Sequence, residues 1–92
     1  MIRSWQHKGL KKFYDTGSKS GINPDHAKRL KILLQLLNAA NKPECMDAPG
    51  FDYHALRGDM VGFYFVAVRA NWKLIFQFEG EDAILVDYLD YH

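Results

Sequence analysis

The hydrophobic and polar positions of this 92-residue chain follow two different periods. In the first half, apolar residues recur every three or four positions, which is typical of amphipathic helices. In the second half, they alternate with polar residues or form short runs of β-branched and aromatic side chains, which is typical of strands. The pattern therefore predicts helices first and a sheet afterwards.

Two helices are predicted before residue 41. The first runs from Lys8 to Thr16, and Gly17 after it suits a left-handed stop. The second runs from about Pro24 to Ala40 and has a stronger start signal, because Asn23 can cap it and a proline fits its first turn. The short apolar stretch from Ile2 to Trp5 is a candidate edge strand.

Four strands are predicted in the second half. Tyr53 to Arg57 is a short candidate, and Gly62 to Phe78 contains two apolar runs joined near Asn71, which predicts a central hairpin. Asn71 suits the turn because asparagine tolerates positive φ. Ala83 to Tyr88 is the final strand. The order predicts one α+β domain over residues 1–92, with two N-terminal helices packed on one side of a mainly antiparallel sheet.

The hairpin turn is expected to bring two cations together. A three-residue loop would leave Arg69 facing Lys73, and like charges directly across an antiparallel pair are destabilising. An anion between them would remove the conflict, and phosphate is the natural candidate. The alternative is a pair of cations that only reach past the strand end into solvent.

Charge is unevenly distributed along the chain, although the net charge is only +1. Residues 1–31 carry eight Lys and Arg against two acids, a balance of +6, whereas residues 32–92 carry four against nine, a balance of −5. Such asymmetry indicates a basic face that meets a polyanion, and Lys8, Lys11 and Lys12 are candidate contacts to it. A solvated helix surface is the alternative interpretation.

Several classes of protein are disfavoured by the sequence. No run of about 18 apolar residues could span a membrane, and no leader for export is evident, so a cytoplasmic protein is expected. The single cysteine, Cys45, cannot form an internal disulfide. The four histidines are scattered without metal-ligand spacing, and no glycine-rich nucleotide cradle or nucleophile motif occurs. Neither a metal nor another cofactor is therefore expected.

The candidate chemistry lies at the chain end and around the first strand. Asp90, Tyr91 and His92 offer a carboxylate, a phenol and an imidazole, and His54 and Arg57 flank the first strand. Cleavage of RNA through the ribose 2′-hydroxyl needs a proton acceptor, cations for the charged transition state and an acid for the leaving oxygen, but no metal. Each residue also has a simpler interpretation: surface histidine, turn cation, core aromatic or ion-pair partner.

Four segments of the chain resemble one family of toxins. They are the opening Met1-Ile2-Arg3-Ser4-Trp5, the phrase Leu56-Arg57-Gly58-Asp59, the turn from Val68 to Phe76 and the ending from Asp87 to His92. In this order they resemble the HigB toxins, the plasmid-maintenance killer branch of the RelE superfamily. The resemblance covers nearly the whole chain, and the Asn-Trp turn and terminal Asp-Tyr-His are specific to that branch.

The resemblance implies a bacterial toxin with a RelE-like microbial ribonuclease fold, which binds the A site of the 70S ribosome and cleaves mRNA there. Arginine is usual in the family where this chain has Lys73, and lysine cannot make a bidentate phosphate contact. The catalytic residues that the resemblance implies are His54, Arg57, Lys73, Asp90, Tyr91 and His92. Arg69 and Asn71 at the hairpin turn are expected RNA contacts.

The resemblance also implies partners. Such toxins are neutralised by a helix-turn-helix antitoxin, HigA, and the pair represses its own operon, so operator DNA is expected only indirectly, through the antitoxin. No membrane contact is expected. The main alternative is a toxin of the same fold that blocks a topoisomerase, as ParE relatives do, and a third is a non-catalytic partner of the antitoxin in DNA binding. The terminal Asp-Tyr-His favours the ribonuclease.

Overall fold

The computed structural model describes residues 1–91, which form two α-helices on one side of a four-stranded antiparallel sheet. The sheet order follows the chain, so each strand pairs with the next. The elements are α1 (Lys8–Thr16), α2 (Ala27–Ala39), β1 (His54–Ala55), β2 (Phe63–Arg69), β3 (Trp72–Glu79) and β4 (Asp82–Asp90). The predicted α+β architecture is confirmed. No helix within residues 1–91 has the length and hydrophobicity needed to cross a membrane.

Helix α1 begins and ends at the predicted residues. The Nδ1 atom of His7 accepts a hydrogen bond from the Leu10 N–H at 2.9 Å, which satisfies a backbone donor that the first turn leaves unpaired. At the other end, Gly17 has a φ of 82°, and its N–H donates to the Phe13 carbonyl at 2.8 Å. Leu10 and Phe13 are buried in the core between the helices and the sheet.

Helix α2 is preceded by a 3₁₀ turn, Pro24–His26, which forms the first part of the predicted second helix. The Asn23 side chain accepts from the Asp25 N–H at 3.0 Å, as expected of a capping residue. Arg29 links α2 to the sheet: its guanidinium donates to the carbonyls of Gly50 at 2.9 Å and Ala67 at 3.1 Å. This contact fixes the loop that leads into β1.

The central hairpin differs from the prediction in its turn. Arg69 pairs with Trp72, so the loop has two residues, and an irregularity in β2 between Ala67 and Arg69 brings Lys73 opposite Ala67. The expected facing pair of Arg69 and Lys73 is therefore wrong, because the extra residue is accommodated by a bulge rather than by the turn. The positive φ in this turn is 52° at Ala70, and not at Asn71 as predicted.

The N-terminal segment runs beside β4. Ile2 and Trp5 form isolated parallel bridges with Ala83 and Val86, in place of the continuous edge strand that was predicted. Leu85 has a φ of 54°, and its N–H donates to the Ser4 hydroxyl at 2.8 Å. The irregular β4 backbone thus interrupts the ladder, while the segment still covers an edge that would otherwise be open.

Gly9 in α1 touches the backbone of Gly21, and this contact generates a prediction about stability. A Cβ atom at residue 9 would lie 2.6 Å from the Gly21 carbonyl oxygen. Helix propensity alone predicts that Gly9→Ala stabilises the fold by roughly 1 kcal/mol. We expect the opposite sign, a loss of about 1–3 kcal/mol, because backbone must shift to relieve the overlap. Chemical denaturation measures the difference, with Lys12→Ala on the exposed side of α1 as the control. A more stable Gly9→Ala variant would contradict the packing described.

Candidate active site on the open face of the sheet

The two faces of the sheet have different environments. Alternation along β2 and β3 directs Val66, Val68, Leu74 and Phe76 toward the helices, where all four are buried in the core. The intervening residues face the other way, away from α1 and α2, and among them Ile75 is buried. We call this side the open face. Lys73 and Phe65 lie on it, and both are partly exposed.

Three of the predicted catalytic residues meet around the ring of Phe65, and we call His54, Phe65, Lys73 and Tyr91 the Phe65 cluster. The His54 ring centroid lies 5.3 Å from that of Phe65, and the Tyr91 centroid lies 6.2 Å from it. The Lys73 Nζ atom lies 5.1 Å from the centroid, over the ring, in a cation–π geometry. The cluster unites residues from β1, β2, β3 and the position just after β4.

The strand register explains this convergence. Phe65 pairs with His54 on one side and with Ile75 on the other, and Lys73 lies two residues from Ile75 on the same face. Tyr91 is held by the hairpin turn, because its N–H donates to the Asn71 carbonyl at 2.9 Å. The chain end therefore returns to the hairpin through residue 91, and His92 lies outside the described residues.

His54 is oriented by a carboxylate that the sequence did not single out. Its Nε2 atom donates to Asp52 Oδ1 at 3.0 Å. A neutral imidazole that carries its proton on Nε2 has a free lone pair on Nδ1, so Nδ1 can accept a proton. Asp52 adopts a φ of 53°, an uncommon value for a non-glycine residue. A carboxylate that holds a histidine in one tautomer is a recurrent device for general-base chemistry.

The other predicted site residues are not among the side chains that contact the Phe65 ring. Arg57 is exposed at the start of the 3₁₀ turn Gly58–Met60, and Arg69 is exposed at the end of β2. The contacts observed for the Phe65 ring include neither arginine. Asp90 pairs with Trp72 at the end of β4.

Lys8, Lys11 and Lys12 are exposed on α1, on the helical side of the sheet rather than beside Phe65. Lys11 is paired with Asp15 at 2.7 Å. These lysines therefore lie on a different side of the molecule from the Phe65 cluster.

A second aromatic group supports the turn from the helical face. Trp72 stacks on Tyr88 with centroids 4.7 Å apart, and the buried His26 lies 5.7 Å from the Trp72 centroid. The His26 Nδ1 atom lies 2.6 Å from the Tyr88 hydroxyl. Burial raises the pKa of Tyr88, so the phenol stays neutral and available to donate. The entry to α2 is thereby tied to the strand end that carries Tyr91.

Another tyrosine pair lies near β1. Tyr53 stacks on Tyr64 with centroids 5.7 Å apart and an interplanar angle of 7°. Burial, reinforced by Glu44, raises the pKa of Tyr53 to about 12. Tyr53 therefore lies on the same side of the sheet as Tyr64, and the next residue, His54, lies against Phe65 on the other side, as the alternation of side chains in extended backbone requires.

Sequence reasoning missed Phe65 and Asp52. Phe65 looked like one of several strand aromatics, and its central place depends on the pairing of three strands. Asp52 lies in a loop, and acidic residues are so common in loops that its presence there did not indicate a functional role. Its spacing of two residues from His54 was the available signal, since a short loop can bring such a pair into contact.

Solved structures with similar folds are bacterial toxins. A copper-bound mutant toxin from Helicobacter pylori has a TM-score of 0.56 and 19% identity, over 98% of this chain and 94% of that chain. A YoeB/ParE toxin from Agrobacterium tumefaciens has a TM-score of 0.59 and 17% identity, over 97% and 99%. A YafQ mutant from E. coli has a TM-score of 0.56 and 19% identity, over 96% and 91%. At these identities the likeness shows the fold alone, a fold that this chain shares with small bacterial toxins.

Sequence comparison identifies the family within this class. A curated protein from Proteus vulgaris, Endoribonuclease HigB, is 37% identical over 92 residues, which are the full length of both chains. The model of the family described as "RelE-like toxin of type II toxin-antitoxin system HigB" matches residues 3–92. The chain therefore belongs to the HigB-like family of type II toxins, as the resemblance in its sequence indicated.

The geometry around Phe65 can be tested without any assay of activity. An aromatic ring shifts the NMR resonances of protons that lie over its face, so the Lys73 side-chain and His54 ring protons should be displaced from their usual positions. We expect Phe65→Leu to move these resonances back toward random-coil values. Phe63→Leu, two residues away on the same strand, is the control and should leave them in place. Equal spectra for the Phe65→Leu variant and the natural protein would contradict the cluster.

Proposed function

We propose that this HigB-like toxin is an endoribonuclease that cleaves mRNA in the ribosomal A site by attack of the ribose 2′-hydroxyl. The observation that carries the proposal is the convergence of His54, Lys73 and Tyr91 on one partly exposed ring. The arrangement combines a base and a cation, which are two of the groups that this reaction requires, with an aromatic ring on which a nucleobase can stack. The name of the Proteus vulgaris relative, Endoribonuclease HigB, supports the same reaction class.

The first half of the reaction is assigned to His54 and Lys73. His54 Nδ1 takes the proton from the 2′-hydroxyl, and the 2′-oxygen attacks the adjacent phosphorus. Asp52, 3.0 Å from Nε2, stabilises the imidazolium that forms. Lys73 stabilises the negative charge that develops on the phosphate oxygens. Its ammonium is a point charge, so it can follow the phosphate as the geometry changes, but it cannot form the two parallel bonds of an arginine.

The second half releases the 5′-oxygen. The P–O5′ bond breaks, leaving a 2′,3′-cyclic phosphate, and the leaving oxygen takes a proton from an acid. Asp90 and His92 are the candidate groups for this transfer, and the Tyr91 ring, which is 40% exposed, stacks on a nucleobase and orients the strand. Arg57 and Arg69, together with Asn71 at the turn, provide contacts to the neighbouring RNA backbone.

A type II toxin has an antitoxin, and we propose that the antitoxin here is a helix-turn-helix protein of the HigA type. Operator DNA would be bound through that partner and not by the toxin itself. The 70S ribosome and its mRNA are the proposed targets in the cytoplasm. Two surfaces are available for these partners: the open face, with the partly exposed Lys73, and the helical side, with Lys8, Lys11 and Lys12.

We expect cleavage to require the ribosome, because a small open site has little means of orienting free RNA, and positioning alone supplies several kcal/mol of a barrier. The lysines of α1 would supply docking to ribosomal RNA. Replacing Lys8, Lys11 and Lys12 with Glu should weaken 70S binding by about tenfold or more. It should also make the binding constant less dependent on salt concentration. Pelleting of the toxin with 70S ribosomes over a salt series measures both effects.

The thermal melt of the triple variant is the control, and we expect it to stay close to that of the natural protein. Lys11→Glu places a like charge one turn from Asp15, which lowers the free energy of unfolding by only roughly a few tenths of a kcal/mol. Rapid cleavage of naked mRNA at moderate salt would overturn the requirement for the ribosome. Unchanged ribosome binding by the triple variant would overturn the role of α1.

We expect removal of Tyr91 and His92 to reduce mRNA cleavage by about 100-fold or more, a loss typical of removing a positioning and acid–base group. Folding should survive, because Tyr91 is exposed and lies outside the core. Expression under a tight promoter, with mapping of mRNA ends on translating ribosomes, measures the effect.

A cooperative melt close to that of the full chain is the required control for the truncation. If the truncated protein folds and still cuts mRNA at the natural rate, neither Tyr91 nor His92 takes part in catalysis, and His54, Lys73 and Arg57 remain as candidates. If the full chain arrests growth without producing mRNA ends, the topoisomerase-blocking alternative gains support instead.

A further inference from the structure

A groove of about 580 Å³ lies between α1 and α2, on the helical side of the molecule. Its floor is apolar, with Ala27 and the ring of Phe13. Its rim consists of polar and charged side chains together with one aromatic ring. They are Tyr14, Lys19, Lys28, Lys31 and Gln35.

The rim of this groove is positively charged without a compensating acid. Lys19, Lys28 and Lys31 are all exposed, and the described residues that line the groove include no Asp or Glu. Arg29, between two of these lysines in sequence, is instead committed to the carbonyls of Gly50 and Ala67. The surface therefore selects for an anionic occupant.

An apolar shoulder borders the groove on α2. Ile32 and Leu36 are each 45% exposed and lie four residues apart, so they are neighbours on the outer face of the helix. Ile32 follows Lys28 by four residues and Lys31 by one, which places the shoulder directly beside the basic rim. Adjacent exposed aliphatic side chains on a helix are typical of protein-binding surfaces.

We infer that this groove and its shoulder bind an acidic amphipathic helix of the antitoxin. The inference rests on the proposed function, which gives the toxin such a partner. Carboxylates of the helix would pair with Lys19, Lys28 and Lys31, and its apolar side would cover Ile32, Leu36 and the groove floor. RNA could pair with the lysines and stack on Tyr14, but it fits less well, because it offers no apolar side chains to cover the exposed Ile32 and Leu36.

The location has a consequence for the complex. The groove lies on the helical side of the sheet, whereas the Phe65 cluster lies on the open face. An antitoxin helix in the groove would occupy the same basic half of the chain that is proposed to dock on ribosomal RNA. Antitoxin and ribosome would therefore compete for the helical layer.

The test uses the protein encoded beside this toxin's gene, purified after co-expression and titrated back onto the separated full-length toxin by calorimetry. We expect Ile32→Gln/Leu36→Gln and Lys31→Glu each to weaken binding by about tenfold or more, as for residues central to an interface. Val61→Gln, at an apolar residue that is 73% exposed on the β1 side, and Lys42→Glu are matched controls. Both should bind within about twofold of the natural chain, as residues outside an interface do.

Natural affinity in both test variants would overturn the inference, and so would equal losses in the controls or no binding of the natural chain. Loss of 70S binding by Lys31→Glu with intact antitoxin binding would assign the groove to RNA instead.

Cleavage of mRNA on ribosomes is measured separately, and Ile32→Gln/Leu36→Gln should cleave normally. Failure of the natural toxin to cleave would count against the ribonuclease proposal, while the binding result would stand on its own.

Discussion

The pairing of β2 with β3 is the constraint on which the proposed site depends. It sets Phe65 opposite Ile75 and Ala67 opposite Lys73, and with β1 it sets Phe65 opposite His54. A slip of one residue would move every side chain of a strand to the other face, where Lys73 would enter the core and Val66 would leave it. The burial of Val66, Leu74 and Phe76 therefore holds the chemical groups on the open face in register.

The packing on the helical face also extends to the chain end. His26, Trp72 and Tyr88 form a buried or half-buried group directly beneath the hairpin turn, and the Asn71 carbonyl in that turn accepts from the Tyr91 N–H. A terminal residue would ordinarily fray. Here the strand that carries it is tied to the helical layer, so Tyr91 is presented to the Phe65 ring rather than to solvent alone.

Local signals in the sequence predicted the helices well and the sheet geometry less well. The limits of α1 followed from its apolar spacing and Gly17, although a histidine cap was not anticipated. The turn was misjudged because the bulge between Ala67 and Arg69 depends on pairing with β3, and no local signal in β2 encodes it. The ordering of the N-terminal segment beside β4 is a long-range contact of the same kind.

The candidate site was predicted in its parts and not in its arrangement. His54, Lys73 and Tyr91 were expected from their chemistry and from the resemblance to the HigB toxins. Their meeting point, Phe65, and the partner of the histidine, Asp52, became visible only in three dimensions. Side-chain chemistry can be inferred from a list of residues, whereas proximity requires the register of several strands.

The central claim is that His54 and Lys73 act together on one phosphate. A double-mutant cycle with His54→Ala and Lys73→Ala tests it most directly, with the single-turnover rate of mRNA cleavage on 70S ribosomes as the measured quantity. Residues that act as a unit are strongly non-additive. We predict that each single variant loses about 100-fold or more and that the double variant loses little beyond the worse single one. Single variants that cleave at the natural rate would contradict the account.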